Sequence, residues 1–241
     1  MEKVIFHIDV NSAFLSWEAA YRIRELGETE DLRLIPCVVG GSEESRHGIV
    51  LAKSESAKKY GVITGEPLVD ARRKCPGLRT VPGNFPVYVK YSKAMMKILE
   101  DYSPDIEQYS IDESFLDMTG TEKLFGPPLE VAHTIKDRIY NELGFTVNVG
   151  ISTNKLLAKM ASDFKKPNLV HTLFPEEVPT KMWPLPVSEL FFVGRQTTKR
   201  LHSLGIFTIG DLAKTDKKVI TDNLKGHGDV IWEFANGNGE S

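Results

Sequence analysis

Cysteine is nearly absent: Cys37 and Cys75 are the only two in 241 residues. A fold of this length needs no disulfide framework, and two thiols suit a reducing compartment. No run of apolar residues approaches the twenty or so that would span a bilayer. Met1-Glu2-Lys3 leads into the brief run Val4-Ile5-Phe6, with no secretory pattern. No excess of one charge exists either: 30 Lys and Arg stand against 33 Asp and Glu, a net charge of −3. That balance excludes a protein that holds nucleic acid by bulk charge alone, although local basic patches remain open. The expectation is a soluble, cytoplasmic chain with no membrane contact.

What is present is an ordinary globular composition, 41% hydrophobic and 26% charged, enough for one to three compact domains. Residues 3–10 (KVIFHIDV) read as a buried strand ending in Asp9. Asn11 or Ser12 is placed to cap a helix carrying Phe14, Trp17 and Tyr21 at helical spacing, which Gly27 closes. Residues 27–83 have a different texture. A charged loop, GGSEESRHG (40–48), separates the β-like runs CVV and GIVLA, and short helices are expected over 54–61 and 69–77. A helix over 86–103 follows, then the strands IEQYSI and SFLDM, a helix over 128–143 and the strand FTVNVGIS (145–152). Ser152 or Thr153 is placed to cap NKLLAKMASDF. After a Pro-rich connector (175–186) the chain reads all-helical. The segments LFFVGRQTTKRL and NLKGHGDVIWEF both suggest helix, Gly-containing hairpin, helix.

SIDESFLD (110–117) sets Asp112 beside Glu113 between strand-like segments. At a hairpin tip the strand alternation breaks, so both carboxylates can turn to one side. If that tip neighbours Asp9, three carboxylates meet at one sheet edge. Their repulsion is relieved by a hard divalent cation, and an oxygen-only set favours Mg²⁺ or Mn²⁺. On the doublet alone, an acidic turn plus a helix cap is the better explanation, since acidic turns are common.

FHIDVNSAF, SIDESFLD, VGISTNKLLAKMASDFKKPN and FFVGRQTTKRLHSLGI, in that order, resemble the Y-family DNA polymerases of the DinB/UmuC kind over essentially the whole chain. The resemblance implies an α+β fold: a ferredoxin-like palm (1–26 and 84–172), a small inserted fingers subdomain (27–83) and an all-helical helix–hairpin–helix thumb (173–241). A C-terminal little-finger domain is expected to be absent, and a sliding-clamp contact with it. It further implies template-directed addition of dNTP to a primer 3′-hydroxyl by a monomer on primer–template DNA, past damaged bases, with two Mg²⁺ ions (or Mn²⁺).

Residue by residue, it gives Asp9, Asp112 and Glu113 the catalytic metal-binding role, with the Val10 carbonyl as a further ligand. Phe14 falls at the steric gate that excludes a 2′-hydroxyl. The N–H groups of Ala13 and Phe14, with Ser54, Lys58 and Lys166, would bind the nucleotide. Val193, Gly194, Arg195 and Lys199 would grip the DNA backbone. Three departures stand out. Glu55 occupies a position where Tyr is common and is expected to turn away or pair with Lys53 or Lys59. Ile49 and Leu51 are bulky for a wall over the base pair, and strand alternation should send at least one inward. The hairpin holds one Gly where two are common, with Arg195 next. KGHG (225–228) could form a second hairpin, with His227 a surface turn residue. Two other classes compete: a non-catalytic DNA-binding or regulatory module with a retained palm, and a palm-type nucleotidyl cyclase, which has no use for the Gly194 hairpin.

Overall fold

The computed structural model describes residues 2–41 and 48–239. Ser42–His47, most of the charged loop expected over 40–48, lie outside the described residues.

The first strand, β1 (Ile5–Val10), is buried along its whole length. Its even-numbered residues, Phe6, Ile8 and Val10, join the largest apolar core, while Ile5 meets Phe115 and Ala158 on the opposite face. A strand covered on both faces reads as a continuous apolar run, which is why IFHIDV was legible. Helix α1 (Ala13–Arg24) follows without the cap expected of it. Ser12 takes a left-handed backbone (φ 47°, ψ 53°) and makes no capping bond. The Asn11 amide is occupied elsewhere, as described below.

Residues 27–83 form a three-stranded sheet: β2 (Cys37–Gly40) lies between β3 (Val50–Lys53), antiparallel, and β4 (Arg79–Pro82), parallel. Helices α2 (Glu55–Lys59) and α3 (Leu68–Lys74) cover one face, where Val38, Val50, Leu68, Cys75 and Leu78 pack together. The other face, through Cys37, Val39, Ala52 and Val81, joins the main core. Both cysteines are buried, neither in a disulfide.

Helix α4 (Phe85–Leu99) brings Tyr88 and Tyr91 against α1. Two strands, β5 (Ile106–Gln108) and β6 (Glu113–Asp117), make the expected hairpin. A single-turn helix α5 (Glu122–Phe125), the long α6 (Pro128–Leu143), β7 (Val147–Ser152), α7 (Lys155–Ser162) and β8 (Val170–Thr172) complete the main sheet, whose order is β5-β6-β1-β7-β8. Helix α7 is capped not by Ser152 or Thr153 but by Asn154, whose side chain accepts from the Leu157 N–H; the Ser152 hydroxyl donates instead to the Leu173 carbonyl. α7 lies directly on the sheet because residue 150 is glycine. A Cβ there would come within 1.9 Å of the Ala158 carbonyl oxygen.

Single-turn helical segments over 175–189 lead into α8 (Arg195–Ser203), α9 (Ile209–Lys214) and α10 (Lys217–Ala235). Their core also contains Leu156, Leu157, Met160 and Ala161, so α7 serves the sheet with one side and the helical unit with another. No helix among the described residues is long and apolar enough to cross a membrane.

Candidate active site

β1 and β6 are antiparallel neighbours with Asp9 directly opposite Glu113. The hairpin expectation needs one correction. Only Asp112 belongs to the turn; Glu113 is the first residue of β6, held by Tyr109 and Ser110 N–H groups donating to its carbonyl. Asp112 accepts from the Ser110 hydroxyl at 2.7 Å, and its carbonyl accepts from the Val10 N–H at 3.1 Å. The main chain thus joins the acidic turn to the end of β1.

The three carboxylates share an edge but not a cage. Among the described residues, no three His, Cys, Asp or Glu side chains converge as metal ligands. Glu113 is the one turned away: its Oε2 accepts from His7 Nε2 at 3.1 Å and from the Lys159 ammonium of α7. Burial favours the neutral acid, but these two donors outweigh it and hold the carboxyl down at about 2. Asp9 accepts from Lys166 Nζ at 2.5 Å, and Lys166 also reaches Asp163 at 2.8 Å. Burial nonetheless pushes the Asp9 carboxyl above its ordinary value.

Asp9 and Asp112 open into one cavity of about 520 Å³, bounded also by Val10, Ala13, Phe14, Leu51, Ser54, Lys58 and Lys166. Its anionic side chains are all carboxylates, with no imidazole or thiolate in the lining, which fits a hard divalent cation. A positive charge already sits on Asp9, supplied by Lys166.

The cavity wall on the α1 side is aromatic. Phe14 is half-buried, stacked on Tyr88 (5.0 Å, 13°) and edge-on to Phe85 (5.7 Å). It therefore lines the cavity and anchors the core stripe at once. Asn11 explains how the segment after Asn154 reaches this wall. Its Oδ1 accepts from the Thr146 hydroxyl (2.9 Å) and the Asn168 N–H (2.9 Å), and its Nδ2 donates to Asn148 Oδ1 (3.2 Å). One buried amide pins β1, β7 and the Lys166 loop together, and this use was not visible in a residue that reads as a helix cap.

From residues 27–83 the cavity receives Ser54, Lys58 and Leu51. Ser54 is buried and caps α2: its Oγ accepts from the Ala57 and Cys37 N–H groups, so it shapes the wall from within. Glu55 pairs neither with Lys53 nor with Lys59 but with Lys58, at 3.6 Å on an exposed surface. β2 and β3 shift register between Val39 and Gly40, which leaves Leu51 without a partner in the ladder, so strand alternation does not run through this stretch. Neither Ile49 nor Leu51 is fully buried: Ile49 is exposed and Leu51 lines the cavity, while Val50 and Ala52 pack inward.

The helical unit presents Gly194 at the start of α8, where an added Cβ would meet nothing within 4 Å. Val193 anchors the hairpin in the core; Arg195 and Lys199 are exposed beside it. Phe192, two residues before Gly194, takes a left-handed backbone (φ 73°), a conformation glycine adopts most readily. At KGHG, α10 breaks at Lys225 (φ 53°, ψ −139°). His227 is not a surface turn residue. It lies half-buried within α10, with Nε2 3.3 Å from the Thr197 hydroxyl of α8, linking the two Gly-bearing segments.

Residues 8–163 match the impB/mucB/samB family, and residues 175–206 match the IMS family HHH motif. The chain is similar to a DNA polymerase IV of Clostridium acetobutylicum, 54% identical over 237 residues, covering 98% of this chain and 59% of the relative. Similarity to a DNA polymerase IV of Acetivibrio thermocellus is 43% over 237 residues, 98% and 58% of the two chains. The chain therefore spans about three-fifths of the length of these curated relatives. Among solved structures, the crystal structure of DinB from Sulfolobus solfataricus superposes with a TM-score of 0.85 at 27% identity, covering 99% of this chain and 68% of that one. An insertion ternary complex of Dbh DNA polymerase gives 0.83 at 28%, with the same coverage.

Proposed function

Because the chain belongs to the impB/mucB/samB family, we propose that it houses the nucleotidyl-transfer site of a Y-family, template-directed DNA polymerase acting past damaged bases. The observation that carries this reading is the single cavity in which the strand-end carboxylates Asp9 and Asp112 face Lys166, Lys58 and the ring of Phe14. Carboxylates and ammonium groups together match a triphosphate that arrives with hard cations.

In this reading a primer 3′-hydroxyl attacks the α-phosphorus of a dNTP and pyrophosphate leaves. Asp9, Asp112 and the Val10 carbonyl, with Glu113 at the edge, would hold two Mg²⁺ or Mn²⁺ ions. When bound, such ions lower the pKa of the hydroxyl and offset charge on the leaving group. The chain's own residues do the rest. N–H groups of Ala13 and Phe14, at the start of a 12-residue helix, face phosphate oxygens. Lys166 and Lys58 neutralise the triphosphate tail, and Ser54 fixes the wall behind it. The Phe14 ring, backed by Tyr88, leaves no room for a 2′-hydroxyl. Val193, Gly194, Arg195 and Lys199 grip a backbone phosphate, which positions the duplex without reading its sequence.

Primer extension on gapped DNA with Mg²⁺ at low salt, beside the Asp112→Ala, Glu113→Ala double variant, tests the proposal. Low salt matters because phosphate contacts weaken steeply as salt rises. Templated addition that the double variant lacks supports the polymerase. DNA binding without addition supports the non-catalytic module instead. Two observations favour that second reading: the Glu55–Lys58 pair offsets a cation at the cavity mouth, and Glu113 is turned towards α7.

A further inference from the structure

We propose that His7, Ser162 and Lys159 form a brace that grips Glu113 by Oε2 alone and so fixes the direction in which Oε1 is offered at the acidic edge of the sheet. What Glu113 does there rests on the polymerase reading above; how it is held does not.

His7 is 1% exposed, in the middle of the central strand. A buried imidazole is costly unless both nitrogens find partners, and here both partners lead to Glu113. Nδ1 lies 2.8 Å from the Ser162 hydroxyl. That hydroxyl also lies 2.8 Å from the Lys159 carbonyl, one turn back along α7. Nε2 lies 3.1 Å from Glu113 Oε2. The Lys159 ammonium closes on the same oxygen. One helix therefore supplies both the group that fixes the ring and the second donor to the carboxylate.

The fold makes this possible at a single point. Gly150 is the β7 residue directly opposite His7, and it is the glycine that lets α7 sit against the sheet. Phe115, opposite His7 on β6, holds the imidazole from the other side, with ring centroids 4.6 Å apart. The Lys159 ammonium is flanked by the rings of Tyr109 (5.2 Å) and Phe191 (5.5 Å), so its approach to Glu113 is guided by the acidic turn and by the helical unit alike. A carboxylate free in solution offers two oxygens to a cation. With two donors on Oε2, Glu113 offers one, in a fixed direction. His7 is a positioning residue in this scheme, and so is Ser162 through the ring.

The competing description is a satisfied core histidine, important for packing only. His7→Phe separates the two, because it keeps an aromatic ring against Phe115 and removes both nitrogens. The readouts are Mn²⁺ affinity of the whole chain by electron paramagnetic resonance titration, and kcat and KM for dNTP in primer extension, with urea unfolding as the control. The brace requires Mn²⁺ affinity and kcat to fall together by roughly 10–100-fold, while KM for dNTP stays put. His7→Gln, which returns an N–H near Nε2, should recover part of both. Ser162→Ala should shift both in the same direction by less, and it decides the matter if His7→Phe does not fold. Unchanged Mn²⁺ affinity and kcat in folded His7→Phe or, failing that, in Ser162→Ala overturn the proposal. So does a Glu113→Gln variant that binds Mn²⁺ like the wild type. If the wild type binds Mn²⁺ through Glu113 yet adds no nucleotide, the polymerase reading fails, and the brace is judged on the Mn²⁺ arm alone.

Discussion

The main sheet and the 27–83 sheet build opposite walls of one cavity from different material. Trp17, Tyr88, Phe6 and Phe145 fill the core beneath the acids. Among the described residues of the second core, between β2, β3 and helices α2 and α3, no aromatic ring is buried and the largest side chains are leucines. Polar fastening differs in the same sense. Asp9, Asn11 and Glu113 each have a partner more than a hundred residues away. Across the cavity, Lys58 has a partner three residues away on an exposed helix. One wall is fixed by long-range contacts and bulk; the other is a thin layer with local ones. A site assembled this way fixes Asp9 and Asp112 more firmly than the wall that faces them.

Breaking each core measures that contrast most directly. Trp17→Ala should cost about 4 kcal/mol and lower the whole unfolding transition in urea. Leu68→Ala, in the thin core, should cost about 3 kcal/mol, but the loss should appear as faster hydrogen exchange over 37–82 with the global transition little moved. Equal global shifts for the two would mean the walls are one cooperative unit. Next in size, Asp9→Asn should cut templated addition by about 100-fold or more with the fold intact, a loss typical of removing one charge-stabilising group; Lys58→Met, on the thin wall, should act mainly on KM for dNTP. Phe14→Ala should admit ribonucleotides, read as a fall of roughly tenfold in sugar discrimination, the scale of losing one steric contact in a pocket. Unchanged discrimination would remove Phe14 as gate. Smallest of all, Glu55→Gln should lower KM for dNTP only about twofold, since an exposed ion pair is worth at most ~1 kcal/mol.

Much of this architecture is legible in the sequence because the buried strands and long helices carry unambiguous patterns. IFHIDV, VNVGIS and 128–143 fall within two residues of expectation. β4 and β8 escape notice for the reverse reason: four residues ending in proline and three half-buried ones carry no periodicity. At the site, the positions of Asp9 and Asp112 follow from strand ends and turn chemistry. The partners of Glu113 do not, since His7 reads as one more strand residue and Lys159 as one more residue of the helix NKLLAKMASDF. Only the antiparallel register and Gly150 bring them together. The misplaced caps have a common origin. Ser12 and Ser152 are the right residue types, but their backbone conformation or another acceptor claims them first.

The place of β1 at the centre of its sheet has a consequence for the order of synthesis. It precedes both its neighbours in the chain, one beginning at Glu113 and the other at Val147. At cellular translation rates of about 5–20 residues per second, the wait between Val10 and Val147 is on the order of ten seconds. Until Glu113 is made, IFHIDV is an apolar strand with both edges open, and until Val147 is made one edge stays open. The newborn protein therefore passes through a window in which a strand fully buried in the finished fold still lacks one or both of the strands that flank it.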